Sequence, residues 1–142
     1  MKISIVRRKT IAIEEFEGTE WPIADVEHYG RDDVEFKAKH YFLKAEQDGT
    51  IWGILQMKIR AGVCTVSDVL VSHEKRGQGI GKKLMHEAEK IATKQGAHKI
   101  FLITGRDWKA ADFYKSLGYK VTGERQNDLA HADFIEFAKF LG

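Results

Sequence analysis

Cysteine occurs once in the 142 residues, at Cys64, so no intrachain disulfide can form and a Cys/His metal cluster lacks its ligands. Proline also occurs once, at Pro22, which excludes a collagen-like or proline-rich chain. No run of about 18 apolar residues exists, so no membrane-spanning helix is expected. Charge of one sign is scarce. Lys and Arg number 23 against 21 Asp and Glu, a formal charge of +2, too even for binding nucleic acid by bulk charge. The opening residues, Met1-Lys2-Ile3-Ser4-Ile5-Val6-Arg7-Arg8, are interrupted by charge before a signal-peptide core could form. Repeats, low-complexity tracts and Gly/Ser linkers are missing too. The expectation is a soluble, cytoplasmic chain with neither nucleic acid nor membrane as partner.

What is present suffices for a core. Hydrophobic residues make up 43 % of the chain and charged residues 31 %, enough to exclude disorder. At roughly 150 residues per domain the length predicts one domain over residues 1–142. Ile3 to Arg8 reads as a first strand. Gly18 to Glu35 is acidic and irregular, with Thr19 available to cap a helix. From His40 to Gln47 and from Thr50 to Arg60, β-branched and aromatic residues flank Asp48-Gly49, a strong hairpin signal. Val63 to Val71 reads as a central strand, its Val69-Leu70-Val71 run suiting a strand covered on both faces.

Gly79 to Gln95 carries one apolar stripe at Ile80, Leu84, Ala88, Ile91 and Ala92, the period of a helix, with Gly96 placed to terminate it. Lys99 to Thr104 reads as a strand, which completes a right-handed βαβ crossover with parallel strands. A shorter helix is expected from Trp108 to Leu117, capped by Asp107 and stopped by Gly118. A strand from Tyr119 to Glu124 follows. Phe134 to Leu141 has the spacing of a helix and the composition of a strand.

Chemistry concentrates at Arg76-Gly77-Gln78-Gly79-Ile80-Gly81, between a strand and the longest periodic helix. The first N–H groups of a helix lack internal partners and carry the positive end of its dipole. Glycines let such a backbone approach a bulky anion, and Arg76 and Lys82 add full charges, so this pattern suits a phosphate. Two common nucleotide motifs miss by one residue. A Walker loop needs four residues between Gly77 and Gly-Lys and a hydroxyl at Lys83. The dinucleotide fingerprint needs its third glycine at Lys82. A ligand-free tight turn would also use glycines, though three with an arginine exceed what a turn requires.

Arg76-x-x-Gly79-x-Gly81 resembles the pyrophosphate-binding signature Q/R-x-x-G-x-G/A of the GNAT N-acetyltransferase superfamily. Ala110-Ala111-Asp112-Phe113-Tyr114-Lys115-Ser116-Leu117-Gly118-Tyr119 is similar to that family's second landmark, about 35 residues downstream with a strand between. The resemblance covers roughly Thr50 to Glu124. It implies an α/β fold of the α+β type: a mixed, mostly antiparallel central sheet with helices on both faces, Phe134 to Leu141 being a strand. It also implies acetyl-CoA as cosubstrate. The diphosphate would rest on the amides of Arg76, Gly77, Gln78, Gly79, Ile80, Gly81 and Lys82, and the pantetheine arm would pair with Val69, Leu70 and Val71. Tyr114 would act as general acid, with Phe113 beside it at the cofactor. Asp107 stands where relatives place an asparagine for the pantetheine, and an aspartate keeps the acceptor oxygen but loses the amide donor.

The implied reaction is acetyl transfer to a primary amine of a small molecule or peptide, by direct attack in a ternary complex. A non-catalytic CoA-binding module, with Tyr114 merely packing, is the alternative; fold alone cannot separate the two. A homodimer is left open. An amine of pKa about 10.4 costs about 4.6 kcal/mol to deprotonate at pH 7, so a base is wanted. Asp68, just before the pantetheine segment, is the first candidate and His131 the second; His73 and His86 flank the phosphate turn. Backbone N–H of Leu70 or Val71 would serve the oxyanion. Cys64, mid-strand without a suitably spaced histidine, is not expected to be a nucleophile. Asp25, Glu27, Asp32, Asp33 and Glu35 could attract a cationic acceptor or form a solvated face.

Overall fold

The alternating stretch between Lys39 and Val71 becomes three antiparallel strands in the computed structural model, which describes residues 1–142. These are β1 (Lys39–Gln47), β2 (Thr50–Arg60) and β3 (Val63–Val71). Asp48 and Gly49 join β1 to β2 with φ of 52° and 78°, the left-handed pair that matches strand twist in a two-residue hairpin. Ala61 and Gly62 repeat the device between β2 and β3, with φ of 48° and 83°.

The expected crossover follows. Helix α2 (Ile80–Lys94) buries Ile80, Leu84, Met85, Ala88 and Ala92. It ends where Gly96, at φ 82°, takes the left-handed position. Strand β4 (Lys99–Gly105) then lies parallel to β3. Helix α3 (Lys109–Ser116), β5 (Lys120–Arg125) and β6 (Phe134–Phe140) complete the chain. The sheet order is β1-β2-β3-β4-β6-β5, parallel only between β3 and β4. The strand reading of Phe134 to Leu141 holds, because β6 inserts between β4 and β5 and is paired on both edges.

One core joins both helices to the sheet, with Leu55, Met57, Cys64, Leu84, Met85, Ile100, Leu102, Tyr114 and Phe137 packed together. Each large apolar side chain so buried contributes about 1.5–3 kcal/mol. This fold is mixed α/β, with a six-stranded, mostly antiparallel sheet and three helices.

Two N-terminal expectations are overturned, the Ile3 to Arg8 strand and the Thr19 cap. The chain divides into two compact units, residues 1–35 and 36–142. Within the first, Ile3 to Arg8 is no strand: Ile3, Ile5 and Val6 are exposed and no ladder pairs with them. Alternation supplies propensity, but a strand exists only against a neighbour. Helix α1 instead spans Ile11–Tyr29, with Thr10 rather than Thr19 as its cap. Thr10 Oγ1 accepts the Ile13 N–H at 3.3 Å, and Gly30 closes the far end at φ 73°. Pro22 is accommodated inside, and no α1 residue is buried, which is why no apolar stripe announced it. No helix is long and apolar enough to cross a membrane.

Candidate active site

Strands β3 and β4 pair only at their beginnings, Val63–Thr65 against Lys99–Phe101. Beyond that they part. β3 keeps β2 on its other edge as far as Val71, and β4 keeps β6 as far as Gly105. A wedge therefore opens in the middle of the sheet. Its β3 edge is specific about which groups it presents. Ser72 donates its N–H to the Trp52 carbonyl at 2.8 Å, so Ser72 and, two residues back, Leu70 face β2. Val69 and Val71 then turn their N–H and C=O groups into the wedge. Of the two oxyanion donors the sequence suggested, the Leu70 amide is committed to β2 and the Val71 amide is free.

The glycine turn stands at the head of this wedge. A short 3₁₀ turn, His73–Lys75, follows β3, and Arg76 is extended at φ −65°. Gly77 and Gly79 have φ of 79° and 81° with open space where a Cβ would be, so both are glycine for backbone reasons. Gly81 differs. Its Cβ would lie 3.3 Å from Phe113 Cζ and 3.8 Å from Val71 Cγ2, so it is glycine to let α3 and β3 close on α2. Gly79 caps α2 without a side-chain bond, and the first backbone bond is Lys83 N–H to Gly79 O at 3.1 Å. The amides of Gly77 to Lys82 consequently meet no protein acceptor. Lys82 and Lys83 are exposed beside them. Arg76 donates from Nε to the Val71 carbonyl at 3.4 Å, tying the cation to the end of the wedge strand. Ile80 sends its side chain into the core; only its amide faces the turn.

A β-bulge shapes the wedge. Register slips between Gln56↔Asp68 and Met57↔Val66, leaving Ser67 as the extra residue; its hydroxyl donates to the Gln56 carbonyl at 3.3 Å. Before the bulge Cys64 and Val66 face the core; after it Val71 faces α2, so Asp68 and Leu70 point to the opposite side. Asp68 is exposed there. Tyr114 lies on the α2 side. Its ring stacks at 6.0 Å on Phe137 and 6.0 Å on Tyr119, and at 5.1 Å on Phe113. Phe137 is register partner to Leu102, the first β4 residue past the β3 pairing. Tyr114 is 8 % exposed, yet its hydroxyl is not a buried atom without a partner. The ring is inside, packed with the core. Burial pushes its pKa up to about 12. The two candidate proton-transfer groups thus flank the sheet from opposite faces, with the wedge between them.

The remaining candidates have surroundings of their own. Asp107 does not cap α3: the cap is Trp108, without a side-chain bond. Trp108 N–H closes a turn onto the Gly105 carbonyl at 3.2 Å. The indole lies where a Gly105 Cβ would be, and packs edge-on at 5.4 Å to Phe134. That packing starts the helix one residue late and leaves Asp107 exposed, 3.7 Å from Arg106. His131 sits at φ 61° in the β5–β6 loop, its Nδ1 2.9 Å from Asn127 Oδ1. His73 and His86 are exposed, and Cys64 is buried with its thiol pushed up to about 11 by desolvation. Asp25 and Glu27 lie on α1, and Asp33 pairs with Arg31. Two features escaped the sequence reading. The bulge was signalled by a switch of apolar parity, from Cys64 and Val66 to Val69 and Val71. Trp52, at the Ser72 contact, gave no local signal.

The site is thus an open α/β sheet split at a parallel pair, with an unpartnered amide cradle at its head. The chain belongs to the acetyltransferase (GNAT) family, whose model matches residues 10–119. A thialysine N-epsilon-acetyltransferase of Sus scrofa is 40 % identical over 79 residues, 54 % of this chain and 42 % of that protein. A spermidine N(1)-acetyltransferase of Thermoplasma acidophilum is 33 % identical over 100 residues, 70 % of this chain and 59 % of that one. The matches therefore span about half the length of these curated relatives. A crystal structure of an acetyltransferase from Bacillus cereus shares the fold, with a TM-score of 0.73 at 23 % identity over 97 % of this chain and 98 % of the other.

Proposed function

We propose that this protein is an acetyl-CoA-dependent N-acetyltransferase that acetylates a primary amine by direct attack. The observation that carries the reading is the wedge: a strand edge with free amides at Val69 and Val71, continuous with the unpartnered amides of Gly77 to Lys82. Such amides at a helix start favour a diphosphate. The pantetheine amides pair with the Val69–Val71 edge as an added strand would, which carries the thioester between β3 and β4. The diphosphate charge is met by Arg76 and Lys82, and Phe113 packs beside the turn at Gly81.

The acceptor amine then approaches from the Asp68 face. Its nitrogen bonds to the thioester carbon, the carbonyl oxygen takes the developing negative charge, and the Val69 N–H, the wedge-facing amide farther from the cradle, stabilises it. Asp68 draws the ammonium and takes the amine proton, directly or through water. As the C–S bond breaks, Tyr114 donates from the opposite face to the leaving sulfur. The curated relatives are named for amine acceptors, thialysine and spermidine, which supports an amine of this general kind here.

Titration with CoA, then turnover of acetyl-CoA against a panel of mono-, di- and polyamines, tests the reading. Millimolar CoA that produces no heat and no thermal shift overturns it, since a ligand at 100 times its Kd stabilises by about 2.7 kcal/mol. Tight CoA binding without turnover of any amine identifies the non-catalytic module instead.

A further inference from the structure

We propose that Trp52 positions the cofactor by clamping the segment that joins its two subsites, an inference that rests on the CoA reading above. The ligand must engage the β3 edge at Val69–Val71 and the amide cradle at Gly77–Lys82 at once. Residues 72–76 set the separation and angle between them. Trp52 holds this segment twice. Its carbonyl accepts the Ser72 N–H at 2.8 Å, and its indole lies 4.3 Å beneath the Lys75 ammonium. Between these points the Lys75 N–H returns to the Ser72 carbonyl at 2.9 Å, closing the 3₁₀ turn. Arg76 leaves that turn directly into the cradle.

The clamp is well placed to act at a distance. Trp52 belongs to β2, packs against the core, and is half-buried. Trp52 and Lys75 are both half-buried, and a cation–π contact strengthens as it is desolvated. Trp52 and Arg76 also border a cleft of about 330 Å³ with Leu70, Val71 and His73, so removing the indole leaves space into which residues 73–76 can relax. Preorganised backbone donors lose value when they must be reordered on binding. Trp52 is thus a positioning residue: it affects affinity for the cofactor through the loop, and the chemical step not at all.

The test uses the full chain. CoA affinity is measured by calorimetry, and steady-state kinetics by varying acetyl-CoA at saturating amine, for Trp52→Leu, Trp52→Phe, Lys75→Met and the Leu/Met double variant. Trp52→Leu and Lys75→Met are each expected to raise the Kd and the acetyl-CoA KM about three- to tenfold. Trp52→Phe restores most of the loss, the double variant is no worse than the worse single one, and kcat is unchanged. Should Trp52→Leu fail to fold, Lys75→Met and Trp52→Phe carry the comparison. Unchanged Kd in both single variants overturns the clamp, as does a double loss equal to the sum of the single ones, which would make Lys75 a direct phosphate contact. A fall in kcat with KM unmoved overturns it too. Failure of the unmodified protein to bind CoA overturns the cofactor reading first, and the clamp with it.

Discussion

Removing one oxygen from Tyr114 separates a proton donor from a packing residue. Burial holds the Tyr114 pKa near 12, whereas a leaving thiol titrates near 8.5. Complete proton transfer to the sulfur would therefore be uphill by about 5 kcal/mol. A tyrosine this reluctant works as a hydrogen-bond donor, strengthening as charge builds on the sulfur, and a bond to a charged group is worth about 1.5–3 kcal/mol. Tyr114→Phe should lower kcat roughly 10- to 100-fold with little change in acetyl-CoA KM. Stability should stay within about 0.5 kcal/mol, because the ring contacts with Phe113, Tyr119 and Phe137 survive. Thiol release from acetyl-CoA, followed from pH 6 to 10, is the assay. The unmodified enzyme should show no rate loss from Tyr114 ionisation anywhere in that range. Variant kcat equal to that of the unmodified enzyme throughout, with Tm preserved, refutes the donor role.

Alkaline stability follows from the same burial: the folded state keeps the Tyr114 proton after the unfolded chain has lost it, so this contribution is complete below pH 10. It fades between pH 10 and 12, about 2–3 kcal/mol in all, with Tyr119 shifted in the same direction. Urea unfolding at pH 9 and 11.5 should show the loss, reduced in Tyr114→Phe. Glu89→Ala should cost about 1.5–3 kcal/mol, since Glu89 Oε1 accepts from Tyr119 at 3.0 Å and from Lys139 at 3.1 Å; a Tm equal to the parent's would show the cluster to be ornamental. Ala61→Asn should raise stability by about 0.5–1 kcal/mol, because Ala61 occupies φ 48° in a turn that prefers Asn-Gly. A lowered denaturation midpoint would count against that turn geometry.

Local rules made much of the site legible. The glycine turn could be read because dihedral freedom and unpaired helix amides are properties of a few adjacent residues. The α2 stripe and the Asp48-Gly49 hairpin were equally local. Asp107 misled for the opposite reason: cap chemistry is local, but the Trp108 indole seated on Gly105 depends on Phe134 far along the chain. The N-terminal strand failed likewise, since alternation in Ile3 to Arg8 cannot supply a pairing partner.

By itself, then, the chain's order of residues determined that a strand leads through glycines into an amphipathic helix, and that Phe113 and Tyr114 follow on the next helix. Only the tertiary structure decided that β3 and β4 part after three residue pairs, that Ser67 bulges so that Asp68 and Tyr114 flank the gap from opposite faces, and that Val71 rather than Leu70 offers its amide. Dihedral preference and helical period act between neighbours in sequence. The parting of two strands depends on what β2 and β6 hold on their far edges, a relation that no stretch of neighbouring residues encodes.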